Sequence, residues 1–310
     1  MEKIKVIAVV GPTASGKTSL AVKIAKAVGG EVVSADSMQI YKGMNIATAK
    51  PTPEETDGIP HHLIDFLDPS EPYSVAQYVS DAQKCILDIV SRGKVPVITG
   101  GTGLYVDSLL NGIDFGVVPD HSETRRKLAE RAEKEGAAAL LDELRTVDPE
   151  TAAGLHENNV GRIIRALEVW VLTGSTISEQ KRKSREKGSV YDALYLWLDY
   201  GDRQILYDRI DRRVDIMLDM GLLDEAKKYI ALGEETTAKQ AIGYKELKPY
   251  FKGECSLEEA VENLKKETRH YAKRQMTWFR RNPELLRISP DTDADFVGTA
   301  VSAAKEFLKG

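Results

Sequence analysis

Apolar residues follow two rhythms along this chain. The runs at Ile4–Val10, 31–34 and 95–99 are short and nearly unbroken, as strands covered on both faces tend to be. Between them, 19–28 and 74–92 carry apolar residues at helical spacing. Strands alternating with helices predict an α/β architecture on a parallel sheet. From about Pro119 the rhythm changes. Segments 123–136, 137–146, 149–155 and 160–172 all read as helices, with no convincing strand among them. A strand pattern returns at 193–199, helices resume from Arg203, and a late apolar run at Leu285–Ile288 precedes a final helix at 295–308. The economical expectation is a discontinuous core, 1–117 and 190–310, interrupted by an all-helical insertion at 118–189.

Composition narrows the setting. No apolar run approaches the ~20 residues that a membrane span needs, so no membrane partner is expected. The first residues lead into a strand and a glycine loop, unlike a secretory leader. Cys85 and Cys255 lie far apart and fit neither a disulfide framework nor a metal-site spacing. A cytoplasmic protein with reduced thiols is the expectation.

The strongest local signal is Gly11-Pro12-Thr13-Ala14-Ser15-Gly16-Lys17-Thr18, a G-x-x-x-x-G-K-[ST] loop between a strand and a helix. Glycines let backbone amides turn inward around phosphate oxygens, and the following helix presents its positive end. Lys17 adds a point charge, and Thr18 can ligate Mg²⁺. This loop predicts a polyphosphate ligand without saying which. Nucleotide hydrolases usually carry an aspartate at the end of a second buried strand, but 95–99 runs into Gly100-Gly101-Thr102 instead. Asp65 is a possible substitute that no long apolar strand precedes.

Asp36 follows the second strand. A carboxylate there suits a general base, or equally a helix cap. Thr102 sits in a glycine-flanked turn, where it can donate into the same cleft or simply shape the turn. The chain's formal charge of −5 argues mildly against nucleic acid, but local patches matter more than averages. At about 100° per residue, 258–281 separates an apolar face from a cationic stripe of Lys266, Arg269, Lys273, Arg274, Arg280 and Arg281. From Lys265 to Arg281 the local charge is +6, which favours nucleic-acid contact over a merely solvated face. A second cluster, 181–187, reads as a solvated hinge. Arg162 and Arg165 share a helix face and suit backbone contacts or plain surface charge.

Taken together, several blocks resemble the tRNA dimethylallyltransferase family, in its order and over nearly the whole chain. They are the 11–18 loop, Ser-Ala-Asp-Ser-Met-Gln-Ile-Tyr (34–41), Gly-Gly-Thr-Gly-Leu-Tyr (100–105), Arg-Ala-Leu-Glu-Val (165–169), Ile-Gly-Tyr-Lys-Glu (242–246) and Lys-Arg-Gln-Met-Thr-Trp-Phe-Arg (273–280). The resemblance implies a P-loop NTPase-like core that takes dimethylallyl diphosphate in place of a nucleotide, with Mg²⁺ on Thr18. Gly11, Thr13, Ala14, Ser15, Gly16, Lys17 and Thr18 would hold the diphosphate, with Arg209 or Arg213. The helical insertion would clasp the anticodon stem-loop of tRNA.

The same resemblance makes Asp36 the base for the exocyclic amine of the adenine 3′ of the anticodon, in tRNAs reading codons that start with U. Lys17 and Thr102 would complete the catalytic group, and Asp36, Ser37, Met38 and Gln39 would lie against the flipped base. Thr102 and Arg125 would touch RNA near the reaction centre. Arg162, Arg165, Gln240, Gly243, Tyr244 and Lys245 would meet the RNA loop, and Lys273, Arg274 and Arg280 would add cationic contacts. Gly161 departs from the polar or basic residue frequent in relatives at that position. A monomer is expected.

Three rivals share parts of this pattern: an ATP-dependent small-molecule kinase, a prenyltransferase acting on free AMP or ADP, and an RNA-binding module with a vestigial loop. The first needs no basic helix, the second no insertion, and the third no intact Lys17, Thr18 and Asp36.

Overall fold

The computed structural model describes residues 3–113, 122–231, 238 and 241–310. In chain order the elements are β1 (Ile4–Val10), α1 (Lys17–Val28), β2 (Gly30–Ser34), α2 (Pro53–Thr56), β3 (His61–His62), α3 (Val75–Ser91), β4 (Val95–Gly100) and α4 (Gly103–Leu110). Then come α5 (Ser122–Glu135), α6 (Ala137–Val147), α7 (Pro149–Ala153), α8 (Val160–Thr173) and α9 (Ile177–Lys187). The chain ends with β5 (Tyr191–Leu198), α10 (Arg203–Asp219), α11 (Leu222–Ile230), α12 (Tyr244–Phe251), α13 (Leu257–Phe279), β6 (Leu285–Ile288) and α14 (Phe296–Lys309). Two compact units result, Met1–Leu110 with Tyr191–Gly310, and Asn111–Val190. The sequence reading put the first join near 117; the contacts put it at Leu110.

In the larger unit one six-stranded sheet runs β3-β2-β4-β1-β5-β6, every pairing parallel. The uninterrupted Val6–Val10 run is explained by its place, since each of its side chains is fully buried. Leu20, Ile24 and Ala25 of α1 pack on one face with Ala300 and Ala304 of α14. Because β2, β4 and β1 are neighbours and parallel, the loops leaving their C-terminal ends emerge on the same sheet edge. Those loops hold the phosphate motif, Asp36 and Thr102. The parallel α/β architecture that the alternation implied is the one observed, and it fits the P-loop NTPase-like core that the resemblance implied.

Four elements escaped the sequence reading. α2 is a single turn opened by a capping box between Thr52 and Glu55. β3 is only two residues long, too short for a periodic signal, and is recruited by pairing Val32 with His61. α4 starts directly after a double glycine that reads as a turn. The 181–187 cluster is not a hinge but most of α9. Glu179 accepts from the Thr176 amide while the Thr176 hydroxyl accepts from the Glu179 amide, an N-terminal box whose local strength outweighs the crowded charge.

The smaller unit is a helical bundle with its own core of Leu140, Leu141, Leu144, Ile163 and Leu167. Within it the buried carboxylate of Glu168 receives Arg125 through two hydrogen bonds of 3.1 and 3.2 Å, and Arg165 at 2.6 Å. Arg162 stands exposed. A Cβ at Gly161 would meet nothing within 4 Å, so no steric need keeps glycine there. Among the described residues, no helix is long and apolar enough to cross a membrane.

Candidate active site

The phosphate loop is held by side chains from distant parts of the chain. Gln275 of α13 accepts the Thr13 amide at 2.9 Å, Arg209 of α10 donates to the Ala14 carbonyl at 2.9 Å, and the Tyr200 hydroxyl donates to the Ser15 carbonyl at 3.0 Å. Three consecutive residues are thereby fixed from outside, which supports the left-handed Ala14 (φ 60). Gly16 (φ 91) makes the second reversal, a conformation that costs a side chain most and glycine least. Gly11 serves close packing: a Cβ there would lie 3.0 Å from the Leu198 carbonyl oxygen.

Inside the larger unit, one cavity of about 260 Å³ joins the loop to the acceptor side. One wall is Thr13, Ala14, Lys17, Thr18 and Arg213; another is Asp36, Ser37, Met38 and Gln39, with Ala47, Thr48 and Ala49 beside them. Gly243, Lys245, Tyr271, Arg274 and Gln275 also line it. Asp36 and Lys17 therefore border one space.

Asp36 does not cap a helix, because none follows it. Its Oδ1 accepts the amides of Met38 (2.8 Å) and Gln39 (3.3 Å), pinning a turn that sets the carboxylate in place. Among the described residues Oδ2 has no hydrogen-bond partner, so it is open to a substrate proton. Lys17 donates to the Pro12 carbonyl at 3.3 Å. Burial lowers its pKa to about 8, Arg213 adds to the shift, and Asp36 opposes it. Burial also pulls Arg213 below the usual arginine value, against Glu55 and Asp36. Burial holds the Tyr271 phenol well above its ordinary value, with Asp36 reinforcing the shift, so the ring stays neutral.

Other expected residues fall elsewhere. Thr102 does not line the cavity; its hydroxyl accepts the Ser37 amide at 3.1 Å and so braces the Asp36 turn. Ser15, Gly16 and Arg209 border a second cavity of about 350 Å³ with Lys23, Tyr200 and Phe296. Tyr244 is buried behind the wall, donating to Glu225 at 2.9 Å. Asp65 is no substitute metal ligand, since Lys50 engages it and the Gly43 amide donates to it at 3.2 Å. Gln240 lies outside the described residues, and Arg125, Arg162 and Arg165 belong to the smaller unit.

The cationic stripe of α13 needs correction. Lys265, beside the stripe, pairs with Asp215 (2.6 Å), and Arg269 pairs with Asp211 (2.6 Å) of α10 and Glu262 (3.0 Å) of its own helix, so part of the local charge is already neutralised. Arg280 is drawn to Asp199 at 3.8 Å and lies over the Trp197 ring. Exposed Lys266, Lys273 and Arg281, with Arg274 in the cavity, carry what remains.

Gln275 was missed by sequence reading although a signal existed. It falls about 20° from Leu264, in the middle of the apolar face, and it is 5% exposed. A polar residue at a core position calls for a buried partner.

Comparison with known proteins finds relatives in both sequence and structure. A family model described as IPP transferase matches 39–282, and one described as Isopentenyl transferase matches 4–67. A tRNA dimethylallyltransferase of Thermoanaerobacter sp. (strain X514) is 49% identical over 280 residues, covering 89% of each chain. One from Geobacillus kaustophilus (strain HTA426) is 46% identical over 307 residues, 99% of this chain and 96% of the relative. The crystal structure of a tRNA isopentenylpyrophosphate transferase from Bacillus halodurans superposes with a TM-score of 0.71 at 42% identity, covering 99% of this chain and 100% of that one. A eukaryotic dimethylallyltransferase acting on tRNA gives a TM-score of 0.85 at 31% identity, over 99% of this chain and 80% of that one. On this match of sequence and fold, the chain belongs to the tRNA dimethylallyltransferase family.

Proposed function

We propose that the chain transfers a dimethylallyl group from dimethylallyl diphosphate to the exocyclic amine of the adenine 3′ of the anticodon, in tRNAs reading codons that start with U. The single observation carrying this reading is the shared cavity. Asp36 stands on one wall, and Lys17, Thr18 and Arg213 on another. The fold supports a P-loop-type cradle for the diphosphate, and the absence of an aspartate after β4 fits a reaction that activates no water.

The chemistry follows from the reactants. An adenine amine is a weak nucleophile because its lone pair is delocalised into the ring, so its partner must be strongly electrophilic. An allylic diphosphate is, since its departing group leaves a resonance-stabilised carbon. A nitrogen–carbon bond forms as the carbon–oxygen bond to diphosphate breaks, and Asp36 Oδ2 accepts the amine proton. Lys17, Arg213 and the loop amides take up the charge developing on the leaving diphosphate. Arg213 is the better candidate for that contact, because Arg209 is committed to the Ala14 carbonyl and the Tyr200 ring. Holding both reactants in line supplies the rest.

Magnesium fits this donor set. Among the described residues no group of three His, Cys, Asp or Glu could hold a metal, so Thr18 would share the ion with diphosphate oxygens and water, as hard oxygen donors suit Mg²⁺. When bound, it would neutralise charge on the departing group. The RNA-facing cations would be Lys273 and Arg274, with Arg125, Arg162 and Arg165 on the helical insertion. We place the protein in the cytoplasm, acting as a monomer.

The test is mass spectrometry of tRNA incubated with the protein, Mg²⁺ and dimethylallyl diphosphate. A gain of one five-carbon unit at that adenine is expected. Transfer or hydrolysis of the ATP γ-phosphate with no gain on tRNA would favour the kinase, and prenylation of AMP but not tRNA the free-nucleotide enzyme.

A further inference from the structure

The acceptor wall contains an irregular segment, 44–50, in which the Ala49 and Lys50 amides close turns onto the carbonyls of Ile46 and Asn45. One carboxylate takes the three amides before them. Glu225 of α11 accepts from the amides of Asn45 (2.8 Å), Ile46 (2.9 and 3.1 Å) and Ala47 (2.9 Å), and from the Tyr244 hydroxyl (2.9 Å). Tyr229, stacked on Tyr244 with centroids 5.4 Å apart, donates to the Lys42 carbonyl at 3.0 Å and secures the same segment one step earlier. Three successive amides converging on one anion make a concave nest, here filled by the protein's own side chain.

What the nest holds up is the cavity. Ala47, Thr48 and Ala49 line it, and the carbonyls of Thr48 and Ala49 accept from Gln39 Nε2 at 3.2 and 3.1 Å. The Ser34 hydroxyl donates to Gln39 Oε1 at 3.3 Å. Both Nε2 hydrogens are thus used, and the amide is fixed in one of its two flips. The end left with spare capacity is Oε1, an acceptor with a second lone pair. The phosphate loop is held independently, by Gln275, Arg209 and Tyr200.

We propose that Glu225 is a positioning residue for base acceptance. By gripping 45–47 it fixes the Thr48 and Ala49 carbonyls, which orient Gln39 so that the cavity meets an acceptor suited to an amino group. The inference rests on the prenyl-transfer reading, and it separates the two substrates. Loss of the carboxylate should loosen the wall that meets RNA while leaving the diphosphate cradle intact.

The test is steady-state kinetics of Glu225→Gln with an anticodon stem-loop RNA and dimethylallyl diphosphate, each varied in turn. A neutral amide has one oxygen where the carboxylate offers two, so several of these hydrogen bonds are lost or weakened. KM for the RNA should rise about tenfold. KM for dimethylallyl diphosphate should stay within about twofold, and Glu225→Asp should recover part of the loss. Equal changes in both KM values, or no change in the RNA term, would overturn the proposal. Should Glu225→Gln fail to fold, Tyr244→Phe removes one of the carboxylate's donors and must show the same one-sided shift in smaller measure. Absence of prenyl transfer by the unaltered protein would instead sink the functional reading, so the two failures are distinguishable.

Discussion

Gln275 and Thr13, 262 positions apart, are joined by a 2.9 Å hydrogen bond from the Thr13 amide to the Gln275 side chain. The other end of the same side chain donates to the Gly101 carbonyl at 2.9 Å. One buried amide thus ties the turn after β1 to the turn after β4. Replacing it by leucine leaves a half-buried amide and a buried carbonyl without this partner, a loss of about 1–3 kcal/mol for the buried carbonyl and less for the amide, which borders the cavity. Gln275→Leu is expected to lower the urea midpoint and to raise KM for dimethylallyl diphosphate. Gly101→Ala would place a Cβ 2.1 Å from Gln275 Nε2. It should therefore destabilise the native protein more than it destabilises Gln275→Ala, and a double-mutant cycle reads that coupling directly.

This pair also marks where sequence reading stops. The phosphate loop, Asp36 and the parallel core were legible because each is local: a glycine pattern, a strand end, a run of buried β-branched residues. Gln275 was half legible, as a polar residue on an apolar face, but its partners came from turns far away in the chain. The charge of α13 was misread for the same reason. Asp211 and Asp215 lie on α10, some 50 to 60 residues away, and nothing in the helix itself reveals them. Likewise Glu225 reads as an ordinary exposed-face acid of a short helix until the fold brings 45–47 against it.

Asp36→Asn keeps an oxygen for the Met38 and Gln39 amides, so the turn should survive. What it removes is the proton acceptor. Turnover is expected to fall by roughly 10²–10⁴, the usual share of a positioned general base. RNA affinity, measured by filter binding, should remain within a few-fold. A variant that binds RNA poorly but turns over normally at saturation would contradict the assignment.

Lys17 carries a pH prediction. Its pKa in the free protein is lowered to about 8, chiefly by burial. A bound diphosphate favours the ammonium form and so raises that value. Affinity is therefore complete below about pH 8 and declines as pH rises through it, because binding then requires uptake of a proton. Calorimetric titration with dimethylallyl diphosphate should show weakening above that point, with proton uptake visible as a buffer-dependent heat. Lys17→Arg, which stays charged throughout, should bind with no such inflection. A flat profile for the native protein would remove Lys17 from the phosphate contact.

The division of α13 into paired and unpaired cations makes the RNA interface testable by salt. Lys265 and Arg269 are engaged by Asp215, Asp211 and Glu262, so their charge is already compensated within the protein. Lys273 is exposed and Arg274 faces the cavity, with its guanidinium 5.7 Å from the Tyr271 ring centroid. A cation that meets a phosphate releases a counterion, and each such contact contributes about 0.7–0.9 to the slope of log affinity against log salt. Lys273→Ala and Arg274→Ala should each reduce that slope by close to one contact and weaken RNA binding most at low salt. Lys265→Ala should leave the slope unchanged, since it removes a charge that never displaced a counterion from RNA. The same comparison in the helical insertion concerns Arg162, exposed, against Arg125 and Arg165, which share the buried Glu168. If Lys265→Ala lowered the slope as much as Lys273→Ala, the stripe would be acting as a whole, and the pairing seen with α10 would have to open when RNA binds.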